Sequence, residues 1–412
     1  LDSEKNEDRF KVKVTKTTLI QARGTLVWEE NGVLHRDACH LPKLNLWRDL
    51  FPPELEQKLL GAEAGEKIEM TFPAGNLIPD HDPAKIFKVY SGQFDFNEED
   101  PFIEPKLGLF YRLGCLTGMS GVFRSDLRPF RIIDQDANQI WIDCNPPLAG
   151  RDLMLELDLE TISASQQERG GQCIDLASKL SEGGPGMQAG LNGLKTEFNS
   201  GKSYFREDED NDLNFYQKPR LLPHLDIGAR AELEGLYARL LTKSNRILDL
   251  MSSWQSHLPQ NLETSTVVGL GMNREELRLN PKLDQNLVHD LNQDPELPFE
   301  DQTFDTVLCS LSIEYLLEPV KMLEEARRIL VPGGLLLISF SNRWFPPKVI
   351  RIWTELQEFE RTGMVLQWLK ESSGFHTLET FSLRELPRPE DDRYRKLSPF
   401  SDPIYAVWAY KA

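Results

Sequence analysis

Two rhythms of apolar and polar residues divide this chain. Between residues 11 and 72, short segments alternate apolar and polar positions: KVKVTKTTLI, GTLVWEENGVL and EKIEMTF. A period of two broken by glycine turns predicts a mainly antiparallel sheet. ELEQKLLGAEAGE (54–66) predicts one short helix ending at Gly61. A Pro- and aromatic-rich stretch over about 80–130 precedes two more strand-like runs, IIDQDANQIWID (132–143) and RDLMLELDLETI (151–162). Residues 163–214 then lose the pattern. Glycine pairs, GGPG (183–186) and the acidic REDEDND (206–212) read as a loop-rich connector, with the acidic run as a solvated loop.

The second rhythm starts near residue 228. ARAELEGLYARLL (229–241) has helical spacing, and short continuous apolar runs follow: RILDLM (246–251), TVVGL (266–270), LVH (287–289), DTVLC (305–309) and LLLISF (335–340). Helix-like segments separate several of them. Apolar strands alternating with helices predict an α/β unit whose parallel sheet is covered on both faces. After DTVLC, Pro319 suits a first helical turn. Leu316, Val320, Leu323, Ala326 and Leu330 share a face of that helix, and PGG (332–334) stops it. TLETFSL (377–383) and IYAVWAY (404–410) predict two last strands.

Composition narrows the partners. The 412 residues carry a formal net charge of −18, which repels phosphate backbones and acidic headgroups. Neither nucleic acid nor a membrane is expected as a partner. The longest apolar run, LLLISF, is far shorter than the ~20 residues of a membrane span. The five cysteines show no metal-ligand spacing, so no metal site and no disulfide framework is expected. The acidic start, LDSEKNEDRF, reads as neither a signal nor a transit peptide. It lacks an initiator Met, which points to trimming. The expected setting is soluble and cytoplasmic, or another reducing compartment if a targeting peptide has been removed.

In an open parallel sheet, ligands sit beyond the carboxyl ends of the strands. Here those ends are Asp249 with Leu250, Met251, Ser252, Ser253 and Trp254; GLGMN (269–273); HDLN (289–292); Cys309 and Ser310; and SFSNR (339–343). LPFEDQTFD (297–305), followed by EEARRILVPGG (324–334), resembles class I S-adenosylmethionine-dependent methyltransferases, type 11-like, over about 215–412. The resemblance implies a Rossmann-like seven-stranded fold and S-adenosyl-L-methionine as cofactor. It implies cofactor contacts at Asp249, Met251, Ser252, Ser253, Trp254, Gly269, Gly271, Met272, Asn273, Asp290, Leu291 and Ser310, with Asp290 accepting from the adenine amine. The methyl acceptor, a small molecule or a protein, is not readable.

Two departures stand out. Met251, Ser253 and Gln255 occupy positions where the family's first loop has glycines. Gly271 stands where the family has a ribose-binding acid. Two accounts stay open: a reshaped loop that uses Ser252 and Ser253 and moves a ribose contact to Asn273, or a retained fold with a dead cofactor site. GGPGMQA (183–189) and FYQKPRLLPHLD (215–226) suggest that the connector forms a lid. Catalytic candidates are Tyr315, which also suits core packing, and Asn342 and Arg343, placed to orient an acidic or carbonyl-bearing acceptor. His224 and His257 are further possibilities, each with a capping or surface role as the alternative.

GTLVWEENGVL, ELEQKLLGAEAGEKIEMTFPA and DCNPPLAGRDLMLELDL resemble FKBP-type (SlyD-like) prolyl isomerases, with Pro146 in place of the family's His. This resemblance implies an FKBP-like α+β, mainly β domain over 1–162, with an inserted flap at about 78–135. Trp47 and Phe72 would line a pocket for a polypeptide, or else be ordinary barrel core. The expected division is thus 1–162, a connector or lid over 163–214, and a methyltransferase domain over 215–412. The main alternatives are a non-catalytic methyltransferase-fold binding or chaperone-type protein, and a prolyl isomerase with a degenerate C-terminal domain.

Overall fold

The alternation that starts at Leu19 runs as β1 (Leu19–Glu30), turns at Asn31-Gly32 and returns as β2 (Val33–Leu44). Both turn residues take positive φ, 51° and 73°, as a tight hairpin between right-twisted strands requires. The structure, a computed structural model, describes residues 12–94, 105–164, 171–191, 195–241, 246–263 and 266–412. The acidic start and part of the expected flap, 95–104, lie outside the described residues. β8 (Leu153–Ser163) and β3 (Lys67–Phe72) extend the hairpin in the order β2-β1-β8-β3. Helices α1 (Pro53–Leu59) and α2 (Leu176–Ser181) each bury two leucines in its core.

The flap is a separate antiparallel sheet. β4 (Ile86–Tyr90), β5 (Phe110–Arg112), β6 (Pro129–Gln135) and β7 (Gln139–Asp143) pair in the order β4-β7-β6-β5. Phe130, Ile132, Ile140 and Ile142 give it a small core of its own. The insert therefore reaches Asp143 rather than about 135, because β6 and β7 form one hairpin within it.

In the C-terminal half, α3 (Asp212–Tyr216) and α4 (Ile227–Leu240) precede the first parallel strand. Strands β9 (Arg246–Leu250), β10 (Thr266–Gly271), β11 (Gln285–Val288), β12 (Phe304–Ser310) and β13 (Leu330–Phe340) are parallel in the order β11-β10-β9-β12-β13. β14 (Phe375–Arg384) and β15 (Ile404–Lys411) complete seven strands, with β15 antiparallel to β13. α4 packs on one face. On the other lie α6 (Pro319–Ile329), α7 (Arg351–Glu355) and α8 (Glu358–Ser372). α5 (Arg274–Leu279) joins β10 to β11. No helix among the described residues is long and apolar enough to cross a membrane.

The two halves do not form separate bodies. β14 pairs in parallel with β2, from Leu378 opposite Val33 to Arg384 opposite Cys39. One eleven-stranded sheet results. A self-contained FKBP-like domain over 1–162 is not supported. Nor is its substrate pocket: Trp47 is 67% exposed, whereas Phe72 is buried in the β1–β2 core. The two aromatics share no wall against which a proline peptide would lie, so no polypeptide site is supported there.

A buried ion pair closes the seam. Arg384 donates through Nε to Asp37 (3.0 Å) and through its two Nη atoms to the carbonyls of Leu180 and Glu182. Ser382 donates to the other Asp37 oxygen at 2.7 Å. Removing one partner from a buried pair leaves a charge without compensation, at a cost of about 3–5 kcal/mol. Arg384→Met is therefore expected to lower unfolding free energy by that amount in denaturant titrations. Both halves should still unfold in one transition. Two well-separated transitions in the unaltered protein would contradict the single sheet.

Candidate functional site

Beyond the carboxyl ends of β9, β10 and β12 lies a cavity of about 780 Å³. That volume falls within the range of small-molecule pockets. Its floor is built by the loop after β9. Ser252 donates its backbone N–H to the Leu270 carbonyl at 2.7 Å, so the loop folds tightly over the end of β10. The tightness is visible at Gly271: a Cβ built there would lie 2.1 Å from the Ser252 carbonyl oxygen. No side chain fits. Met251 meets the bend with φ of 56°, the left-handed conformation that glycine adopts more cheaply.

The loop's hydroxyls are both used. Ser252 Oγ donates to buried Asp249 at 2.5 Å. Burial pushes the Asp249 carboxyl up to about 6, against the opposing hydrogen bonds of Ser252 and Ser256. Ser253 Oγ donates to Glu276 at 2.7 Å. Asn273 is equally committed. It caps α5 by accepting from the Glu275 and Glu276 N–H groups, and its amide donates to the carbonyls of Tyr216 and Gln217. Its hydrogen-bonding capacity is spent, so the ribose contact expected there lacks a free group.

Segment 212–224 roofs the cavity. Besides Asn273, three contacts hold it. Glu276 accepts from the Arg220 N–H at 2.6 Å. Trp254 Nε1 donates to the Leu222 carbonyl at 3.3 Å. Asn292 donates to Asp212 at 2.9 Å. Asp212 also pairs with Arg206 and with fully buried Lys348. The acidic run is solvated only in part: Glu207, Glu209, Asp210 and Asn211 are exposed, but Asp212 is buried and Lys348 Nζ donates to the carbonyls of Asp208 and Asp210. Burial raises the Asp212 carboxyl, but bonds from Arg206, Asn292 and Lys348 outweigh it and hold it below the ordinary range. Asp212, Tyr216 and residues 218–224 border this cavity, and the glycine-rich segment does not. Gly184 lies against Phe359 and Gly186 against Pro147, away from this cavity.

Among the described residues, Asp290 is the acid on the floor with an idle oxygen. Its Oδ1 accepts from the Asn292 and Gln293 N–H groups, while buried Oδ2 has no hydrogen-bond partner. Met251, Ser252, Ser253, Met272, Leu291 and Ser310 also line the cavity. Two of the expected contacts do not. Gly269 faces Leu283 inside the sheet, and Trp254 ties the roof from outside the lining.

Of the catalytic candidates, Asn342 is exposed and outside the cavity. Arg343 lines it but is paired with Asp402 at 3.2 Å. Tyr315 is a structural wall: its hydroxyl accepts from the Phe345 N–H at 2.8 Å, and its ring stacks on Phe345. Both histidines line the cavity, and burial lowers their pKa, to about 4 for His257. Both are thus neutral near pH 7. Glu276 went unrecognised in the sequence, although it stands five residues beyond the missing ribose acid. Each of its oxygens accepts one bond, leaving room for another. Arg220, Arg393 and Tyr394 are further lining residues without a sequence signal.

Residues 252–338 match the family model described as a methyltransferase domain. The chain is 30% identical over 135 residues to a malonyl-[acyl-carrier protein] O-methyltransferase of Marinomonas sp., covering 28% of this chain and 49% of that one. It is 42% identical over 48 residues to an uncharacterised protein of Methanocaldococcus jannaschii, covering 12% of this chain and 23% of that one. The chain thus spans half or less of the length of these curated relatives. Among solved structures, a SAM-dependent methyltransferase of Thermotoga maritima aligns with TM-score 0.32 and 14% identity, over 45% of this chain and 89% of that one. An S-adenosylmethionine-dependent methyltransferase of Mesorhizobium loti aligns with TM-score 0.29 and 17% identity, over 43% and 98%. The C-terminal half thus contains a segment similar to a methyltransferase domain.

Restoring the missing acid tests the floor geometry. Gly271→Asp is expected to lower Tm, because overpacking costs about 1–3 kcal/mol or more. It is also expected to weaken cofactor binding by displacing Ser252. A variant as stable as the parent that binds cofactor more tightly in calorimetry would contradict this geometry.

Proposed function

We propose that this protein is an S-adenosyl-L-methionine-dependent methyltransferase whose acceptor is a small molecule taken beneath the 212–224 roof. The observation that carries the reading is the idle Asp290 Oδ2, a buried acceptor on the cavity floor where the adenine amine is expected. An unpaired buried acceptor costs about 1–3 kcal/mol, which a donor on the ligand would recover.

The residues present fit the cofactor. Asp290 would take the adenine amine, and Leu291 and Met272 would flank the ring. Glu276 would accept from the ribose hydroxyls in place of the acid absent at Gly271. Asp249 and the backbone of the Met251–Ser253 loop would hold the amino-acid end. S-adenosyl-L-methionine supplies a methyl group on a positively charged sulfur, chemistry that no side chain provides. The chain's own contribution is alignment and exclusion of water. Tyr216, Tyr315 and Phe345 wall the space under the roof, and Arg220 lies 4.2 Å from the Phe215 ring centroid. Neutral His224 forms no hydrogen bond and is available to accept a proton from a hydroxyl or amine acceptor. Arg343 and Arg393 suit an acceptor with an acidic or carbonyl group. An oxygen acceptor accords with the O-methyltransferase among the relatives.

Titration calorimetry of the full chain tests the reading. S-adenosylmethionine and S-adenosylhomocysteine are expected to bind, and Asp290→Ala to lose at least about tenfold in affinity, the equivalent of ~1.4 kcal/mol. Absence of binding to the unaltered protein would overturn it.

Affinity should also depend on pH. The Asp249 carboxylate attracts the positively charged cofactor only when ionised, and its pKa lies at about 6. Binding is expected to weaken as pH falls through 6 and to hold steady above it. Asp249→Asn should bind more weakly and lose that dependence. An unchanged pH profile in this variant would contradict the assignment.

A further inference from the structure

A second cavity, of about 460 Å³, lies where the β1–β2 turn, the flap, residues 187–191 and 195–198, and α8 meet. It shares no lining residue with the first. Its acids are satisfied. Glu360 accepts from the Phe110 and Gln357 N–H groups at 2.8 and 3.0 Å. Both Glu30 oxygens accept from Arg151 at 2.6 Å. Glu371 accepts from Gln367 and pairs with Lys195.

Its donors are not. Buried Arg131 spends Nε on the Gly108 carbonyl and Nη2 on the Ala189 carbonyl, leaving Nη1 without a partner. Buried Gln188 accepts from the Gly186 N–H, but its amide nitrogen donates to nothing. Lys370, exposed near the end of α8, has neither a hydrogen bond nor an ion pair among the described residues. His35 is 1% exposed and bonds Thr380 through Nδ1, leaving Nε2 unused. Val33, Phe198 and Leu366 supply apolar wall between these groups. None of these nitrogens is sealed from solvent, so each is open to an acceptor that enters the cavity. Arg131 feels the charges of Glu360 and Glu30, and Lys370 that of Glu30, but neither is engaged in a direct ion pair, so both keep donors for a ligand of opposite charge.

We propose that this cavity is a binding site for a small organic carboxylate with an apolar body, separate from the methyl-transfer site. The carboxylate would lie among Arg131, Lys370 and Gln188, and its apolar part against Val33, Phe198 and Leu366. A ligand there touches both halves of the chain and the flap. Its binding therefore stabilises the folded protein as a whole.

Hexanoate is a suitable probe, and hexanamide its neutral counterpart. In thermal denaturation of the full chain, millimolar hexanoate is expected to raise Tm saturably, and hexanamide not. The increment should add to that of S-adenosylhomocysteine, because the cavities are separate. Lys370→Met removes a charge that holds no protein group, so it should fold. It is expected to lose about tenfold in hexanoate affinity, the scale of a charge-assisted bond, with S-adenosylhomocysteine binding unchanged. No saturable effect of hexanoate, an equal effect of hexanamide, or competition with S-adenosylhomocysteine would each overturn the proposal. The additive arm also separates it from the methyltransferase reading: failure of S-adenosylhomocysteine to bind would leave the hexanoate result standing.

Discussion

The backbone of Ser252 rests on the end of β10 so closely that position 271 has no space for a side chain. Most features of the cavity beyond the strand ends follow from that contact. The Ser252 N–H bond to Leu270 pulls the loop across the strand ends, and Met251 takes a left-handed conformation to allow the bend. The same bend brings Ser252 onto Asp249 and Ser253 onto Glu276. Loss of the loop glycines and loss of the ribose acid are therefore one change rather than two. A loop folded this way leaves no room for an acid at 271, and Glu276, in the first turn of α5, is a carboxylate that lines the same cavity.

Around that floor the chain arranges support from distant segments. The roof hangs on Asn273, Trp254 and Asn292, which belong to the strand ends or to the loops beside them, and on Glu276 in the first turn of α5. Behind it, Lys348 gathers the carbonyls and carboxylates of 208–212, a buried cation whose charge is met by Asp208 and Asp212. The N-terminal strands add a second kind of support. Pairing of β2 with β14 extends the sheet from seven strands to eleven, and the Asp37–Arg384 pair ties α2 to the seam. Edge strands left open invite unwanted pairing; here the β14 edge is covered by β2.

The C-terminal fold was legible because its signals are local. Continuous apolar runs, Pro319 and PGG mark strands and a crossover helix, and the order of strands follows from ordinary connection rules. Asp249, Asp290 and Gly271, Met272 and Asn273 of the GLGMN end line the cavity, whereas Gly269 does not. Contacts made across long separations were not legible. Nothing in REDEDND indicates Lys348, which lies far along the chain. Nothing in VLHRDAC reveals that β2 pairs with β14 rather than closing a barrel. Asn273 looked like a free ligand because a sequence shows an amide but not the cap and the two carbonyls that occupy it. Trp47 and Phe72 illustrate the same limit, since residue type alone does not separate a surface indole from a core phenyl ring.

The central claim is that the reshaped floor binds the cofactor through Asp290 and Glu276. A crystal structure of the full chain with S-adenosylhomocysteine tests it most directly. The account predicts the adenine amine on Asp290 Oδ2, the ribose hydroxyls on Glu276, and Ser252 still seated over Gly271. Ribose hydroxyls bonded instead to Asn273, with its cap and roof contacts broken, would contradict it, as would a nucleoside bound outside this cavity.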